Sequence, residues 1–308
     1  MSQSKFSDTD FLARVKPITL KRYMSAALAF TSWAADLGYQ PDAADEWDDL
    51  LFEFKQAHPH LTRPKFLQIV ASIEFFLPKV KKNLPWAHAC LCGWHKRSTV
   101  RHTIPLTPKP AKLVAIHMAL RGKRRLGLGV ILQTTTGMRP SEMLHILPEH
   151  VLFPEDQGEG TNSSLPIVIA LGVKAGTKSG RAQTVMIRPE HRELWAVLKN
   201  CRDQTPPGMF MFPYTIMTYR SELRAIEKTM NIRVGWGPHS PRAGFATEGR
   251  LNGVPFEEIR EGGRWLSDSS LRTYLDIVTA ASVVRTLRLQ GLARQLAQAD
   301  RFWHLYFA

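Results

Sequence analysis

Residues 96–110 divide the chain. They read Lys-Arg-Ser-Thr-Val-Arg-His-Thr-Ile-Pro-Leu-Thr-Pro-Lys-Pro, with three prolines and four basic groups: Lys96, Arg97, Arg101 and Lys109. Proline has no amide to donate and clashes with the preceding turn inside a helix. The stretch therefore predicts an extended, basic interdomain linker between a unit at 1–95 and a larger one at 111–308. A length of 308 residues suits two domains. The linker's cations can track a polyanionic backbone or stand solvated, and composition alone leaves both open.

Apolar spacing predicts helices throughout the first unit. Tyr23, Leu28, Phe30, Trp33 and Leu37 run up to a stop at Gly38. Further helices are predicted over 43–54, 63–80 and 84–94, the one over 63–80 carrying Phe66, Ile69, Val70, Ile73 and Phe76 near the helical period. The second unit is mixed. Helices fit 111–120, 126–135, 190–200, 218–230, 241–251 and 270–277, with a long tail helix over 280–298 inside a tail at 280–308. Strands fit 165–173 and 183–187, and the Gly- and Lys-rich residues 174–181 between them form the tip of a basic hairpin. The predicted class is mainly α with a small β-hairpin or sheet.

The charge is lopsided, with 41 Lys and Arg against 27 Asp and Glu, a net +14. A polyanion is the natural partner, because each neutralised phosphate releases condensed counterions. No apolar run approaches the ~18 residues that span a bilayer, and Met1-Ser2-Gln3-Ser4-Lys5 is no signal-peptide core. With only Cys90, Cys92 and Cys201, no disulfide framework is available. These features predict an intracellular protein without a membrane partner. His88, Cys90, Cys92 and His95 suggest zinc, but Cys-x-Cys is not the usual knuckle spacing and 86–94 reads as an inward-packing helix. No metal is predicted. Gly127 and Gly129 lie inside an apolar helix, and no phosphate loop, His-Glu-x-x-His or EF-hand is present. No cofactor is predicted.

One group of side chains carries chemistry. Arg139 stands in Thr-Gly-Met-Arg-Pro-Ser-Glu, behind a Gly turn, with Pro140 preset for a first helical turn. Arg242 follows Ser240-Pro241, read as N-cap and first helical residue, where amide groups already favour anions. Two guanidinium forks can bind the equatorial oxygens of a pentavalent phosphorane and replace metal ions there. His239, three residues before Arg242, can move a proton. Tyr274 can act as a nucleophile where cations favour its phenolate. A hairpin lysine, Lys174 or Lys178, can protonate a departing 5′-oxygen. Each residue alone is more often an ion-pair or core residue; together they suit metal-free phosphodiester cleavage.

Arg139 with its flanking motif, His239-x-x-Arg242, and Trp265 followed nine residues later by Tyr274 resemble the tyrosine recombinase, or phage integrase, family. The resemblance covers roughly residues 108–278 and rests on six positions in register. It favours Lys178 over Lys174, because Lys178-Ser179-Gly180-Arg181 precedes the strand Val185-Met186-Ile187. It implies that Trp265 buttresses the site and donates its indole N–H to the phosphate. It further implies a two-domain clamp on double-stranded DNA, with an N-terminal core-binding bundle and a catalytic domain, acting as a tetramer on paired sites. On that clamp Lys21, Arg22, Lys96, Arg97, Arg101, Lys174 and Arg181 are the candidate DNA contacts.

The chain departs from the family at Ala243, where His is common, and at His150, where an acidic residue is common, though Glu149 is adjacent. The implied function is DNA integration or recombination through a 3′-phosphotyrosyl intermediate, without ATP or metal. A type IB topoisomerase-like enzyme and a catalytically silent DNA-binding relative are the alternatives. Gly263-Arg264-Trp265 and Ser240-Pro241-Arg242-Ala243 look like recombinases of eukaryotic mobile elements, which would place the protein in a nucleus, against the cytoplasm for a bacterial one. The tail helix either folds back on its own domain or passes to a neighbour.

Overall fold

Among the described residues six α-helices begin with proline in one of their first two positions, where the missing amide costs nothing. A computed structural model describes residues 9–97, 103–158, 164–172 and 183–307, and the chain divides into two compact units, 1–101 and 102–308.

The first unit is helical: α1 (Thr9–Leu12), α2 (Pro17–Asp36), α3 (Ala44–Ala57), α4 (Arg63–Phe76) and α5 (Pro85–Arg97). Phe30, Leu51, Phe66, Val70, Ile73, Leu84 and Ala87 fill its core. Asp48 of α3 is buried, and its carboxylate accepts the Trp86 and Ala87 amides at 2.7 and 2.9 Å. It thus satisfies first-turn donors of α5 and ties the two helices together. His88 pairs with Glu74 at 3.1 Å, and among the described residues no three His, Cys, Asp or Glu are grouped to hold a metal. α4 stops four residues before the predicted end, ahead of Pro78. Among the described residues no helix is long and apolar enough to cross a membrane.

The predicted linker is helical at its two ends, 96–97 and 108–110, with 103–107 non-helical between them and 98–102 outside the described residues. Lys96 and Arg97 form the exposed last turn of α5, where cations oppose the helix dipole. Pro108 and Pro110 open α6 (Pro108–Leu120). Two of the three prolines that suggested an extended chain are therefore a helix start, and Pro105 stays in the non-helical stretch before it. Arg101 lies outside the described residues.

In the second unit α6 packs along α7 (Arg124–Thr136), then come α8 (Pro140–Leu144) and a three-stranded antiparallel sheet ordered β1-β2-β3. Its strands are β1 (Val151–Leu152), β2 (Ile167–Leu171) and β3 (Gln183–Ile187), with Val151 opposite Ile169 and Ile167 opposite Ile187. The predicted hairpin thus gains a short third strand. Helices α9 (Arg192–Asp203), α10 (Ile216–Thr229), α11 (Ser240–Leu251), α12 (Phe256–Gly262) and α13 (Asp268–Arg272) follow.

The predicted long tail helix is two, α14 (Ile277–Leu289) and α15 (Ala293–Phe302), broken at Gly291. α15 folds back on α6, with Lys112 donating to Asp300 at 2.7 Å and Trp303 and Phe307 buried.

The segment before α6 runs across α11. The Leu106 amide donates to the Ser240 carbonyl at 2.9 Å, and a Cβ on Gly244 would lie 1.9 Å from the Leu106 carbonyl oxygen. Backbone faces backbone there, so no rotamer change relieves the clash. Gly244→Ala is expected to lower unfolding free energy by about 3 kcal/mol or more. Gly237→Ala, with nothing within 4 Å of its Cβ, should stay within about 0.5 kcal/mol of wild type in the same urea titration.

Candidate active site

α7 ends at Gly137, whose φ of 65° turns the chain sharply. A side chain there would also meet Phe245, 2.7 Å from an ideal Cβ. The turn delivers Arg139 to the N-cap of α8, with Pro140 as the first helical residue. Glu142, in the first turn, folds back to accept the Arg139 amide at 2.7 Å and its guanidinium at 2.6 Å. The same carboxylate accepts from Arg264 at 2.5 Å. Burial alone would raise the Glu142 carboxyl, but Arg264, the Arg139 amide and the Arg139 guanidinium outweigh it and hold it below the ordinary range.

Arg242 sits in the first turn of α11, one position later than predicted, because His239 rather than Ser240 is the N-cap. The Ser240 hydroxyl instead accepts the Gly237 amide. Arg242 is 2% exposed, and its Nη1 donates to the Gly137 carbonyl. Its Cζ lies 4.0 Å over the Trp265 ring and 5.9 Å from the Tyr274 ring centroid. Burial, followed by the charges of Arg139 and Arg264, pushes it down to about 9 against the pull of Glu142 and Tyr274. It remains charged at neutral pH, at an energetic cost that an incoming anion would relieve.

Trp265 is buried between Phe245, stacked at 6.4 Å, and Tyr274 at 5.5 Å, and its indole N–H has no partner among the described residues. Tyr274 is half-buried and lies in a turn rather than in the helix predicted over 270–277. α13 ends at Arg272 and Asp276 caps the start of α14, so the helical run is cut at both sides of Tyr274. Thr247 of α11 holds this turn, donating to the Tyr274 carbonyl at 3.1 Å. Nucleophile candidate and buried arginine therefore hang from one helix.

Arg139, Arg242, Arg264, Trp265 and Tyr274, with Gln183, Ser269, Ser270 and Thr273, line one cleft of about 570 Å³. Of the predicted set, four residues meet there. His239 is exposed at the N-cap of α11 and is not part of that lining. Lys178, Lys174 and Arg181 lie outside the described residues, although β3, which follows them, starts at the cleft with Gln183. Lys21 and Arg22 are exposed on α2. His150 is buried below the Leu147 amide, and Ala243 is buried in α11.

Sequence reading missed Glu142, Arg264 and Phe245. Glu142 had a signal, an acidic residue three positions after an N-cap with proline between. Arg264 had none.

What the arrangement can do follows from its charges. Two guanidinium groups share one carboxylate, and a third, Arg242, is buried beside them, around a cleft open to solvent and bordered by a phenol. Such a site binds an oxyanion and places it beside a nucleophile.

No protein-family model and no curated protein matches the chain. Its structure is similar to the XerH site-specific recombinase bound to a palindromic difH substrate in a post-cleavage complex, at 15% identity and a TM-score of 0.57, over 87% of this chain and 80% of that one. It is also similar to the Tn1549 transposon integrase in complex with transposon right end DNA, at 14% identity and 0.58, over 91% and 98%. A lambda integrase dimer bound to a COC′ core site aligns at 14% and 0.54, over 87% and 77%. The chain has the tyrosine recombinase fold.

Proposed function

We propose that this protein breaks and rejoins double-stranded DNA through a covalent 3′-phosphotyrosyl intermediate, as a site-specific recombinase or integrase. The observation that carries the reading is Tyr274 in one cleft with Arg139 and Arg242, its ring 5.9 Å from the Arg242 guanidinium. The fold shared with DNA-bound recombinases supports it.

In this reading the Tyr274 oxygen attacks the scissile phosphorus, His239 takes its proton, and the phosphorus–O5′ bond breaks. Arg139 and Arg242 carry the charge that gathers on the non-bridging oxygens. Trp265 holds the Arg242 plane from below and offers its unpartnered N–H to the phosphate. Lys178 donates a proton to the leaving 5′-oxygen. The phosphotyrosyl link conserves the bond, so a 5′-hydroxyl of a partner strand reverses the chemistry without ATP. Strand exchange between two sites takes several copies of the chain, in keeping with a tetramer. The net charge of +14 suits the duplex, and a nucleus or a bacterial cytoplasm is the corresponding workplace.

The test is covalent trapping on DNA from the gene's own flanks, in EDTA and without ATP. Detergent-resistant adducts are expected with wild type and absent with Tyr274→Phe. Tight, salt-sensitive binding with no adduct on any flanking site would replace this reading with a DNA-binding role. Relaxation of any supercoiled plasmid regardless of site would favour topoisomerase chemistry.

A further inference from the structure

Arg264 has no task in the reaction above, yet it occupies a costly position. The Arg264 amide donates to the Glu261 carbonyl and the Trp265 amide to the Arg260 carbonyl, both at 2.9 Å. That pair of bonds closes the C-terminus of α12, and the residue between them must be left-handed. Glycine normally fills this place; here Arg264 adopts φ 58°. Gly262 and Gly263 stand immediately before it, so glycine occurs in the turn but not where the turn calls for it. Strain of this kind persists where the side chain has work to do.

The side chain is 10% exposed and lines the cleft. Nη2 donates to Glu142 at 2.5 Å and Nε to Gln183 at 3.2 Å, whereas Nη1 is buried with no partner among the described residues. A strut between Glu142 and Gln183 would need only the first two. A buried guanidinium N–H left unmet is unfavourable unless a ligand meets it.

Charge points the same way. Arg139 and Arg242 against Glu142 leave one positive charge, matching the single negative charge of a phosphodiester. Attack by a phenolate gathers two negative charges on the phosphoryl group, and Arg264 raises the excess to two.

Resting on the phosphoryl-transfer reading, we propose that Arg264 is a third phosphate-binding guanidinium, whose Nη1 donates to a non-bridging oxygen of the scissile phosphate. It binds the pentavalent, doubly charged state in preference to the diester.

The experiment is titration of the full chain with orthovanadate, a pentavalent oxyanion probe that needs no target DNA sequence, followed by calorimetry. Wild type is expected to bind, and Arg264→Gly to bind at least about ten-fold more weakly, the loss of a charge-assisted hydrogen bond. Its melting temperature reflects two opposed effects, a relieved left-handed turn and the loss of a buried partner of Glu142, so affinity is read on the folded variant. Arg264→Lys, which keeps the charge but not the fork, should fall between. If Arg264→Gly fails to fold, Arg264→Gln is read by the same criterion. Equal vanadate affinity in wild type and a folded neutral variant overturns the role of Arg264 and leaves the phosphoryl-transfer reading standing. Failure of wild type itself to bind vanadate overturns both.

Discussion

Glu142→Gln is expected to lower unfolding free energy by about 3–5 kcal/mol at neutral pH, the usual effect of removing one member of a buried ion pair. The Glu142 side chain is 6% exposed and is the carboxylate that Arg139 and Arg264 share, with Arg242 buried beside them. Glutamine keeps the shape and one acceptor oxygen but leaves three guanidinium groups facing each other. The pH dependence supplies the sign. The carboxyl lies below its ordinary value near 4.5 in the folded protein. Its stabilisation is therefore complete above that value and disappears as pH falls through the lowered one. Urea titrations from pH 7 to pH 3 should show the gap between wild type and Glu142→Gln closing on the acid side. A gap that is absent at pH 7, or constant down to pH 3, would contradict the shared-carboxylate account.

The long helices were legible in the sequence because their cores are periodic: Phe66, Ile69, Val70 and Ile73 of α4 all end up buried. What escaped was short. α1, α8, α12 and β1 run only two to seven residues, too few to show a period. The predicted tail helix and the predicted 270–277 helix run across breaks at Gly291 and Asp276, a stop residue and a cap residue respectively. At the site, the arginine, tryptophan and tyrosine positions could be read because motifs fix their spacing. Glu142 and Arg264 could not be read as a pair, since 122 residues separate them and only the fold brings a carboxylate to the cations. His239, expected to face the same site as Arg242, stands exposed at the N-cap of α11, three residues ahead of Arg242 and outside the residues that line the cleft.

The same cluster sets stability against activity at Arg242. Arg242→Met is expected to reduce covalent adduct formation by roughly 10²–10³, the range for removing one donor aimed at transition-state charge. Its unfolding free energy in anion-free buffer at pH 7 should be unchanged or higher by about 1 kcal/mol, because a buried charge gives way to an apolar chain of similar length. Methionine can keep the contact with Trp265 that Arg242 makes at 4.0 Å, and the Gly137 carbonyl loses a donor. The pH dependence runs opposite to that of Glu142. Arg242 is depressed to about 9 from an ordinary 12.5, so the cost of its charge is complete below pH 9 and fades as pH rises from there. Any stability advantage of Arg242→Met should therefore shrink above pH 9, in urea titrations run beside wild type. Phosphate or sulfate should narrow it from the other side, because an oxyanion in the cleft stabilises only the protein that still carries the charge. An Arg242→Met protein that is markedly less stable and still forms adducts would make Arg242 a packing residue. The expected split, sound folding with lost chemistry, fits a cation held out of water for a charge that arrives with the substrate.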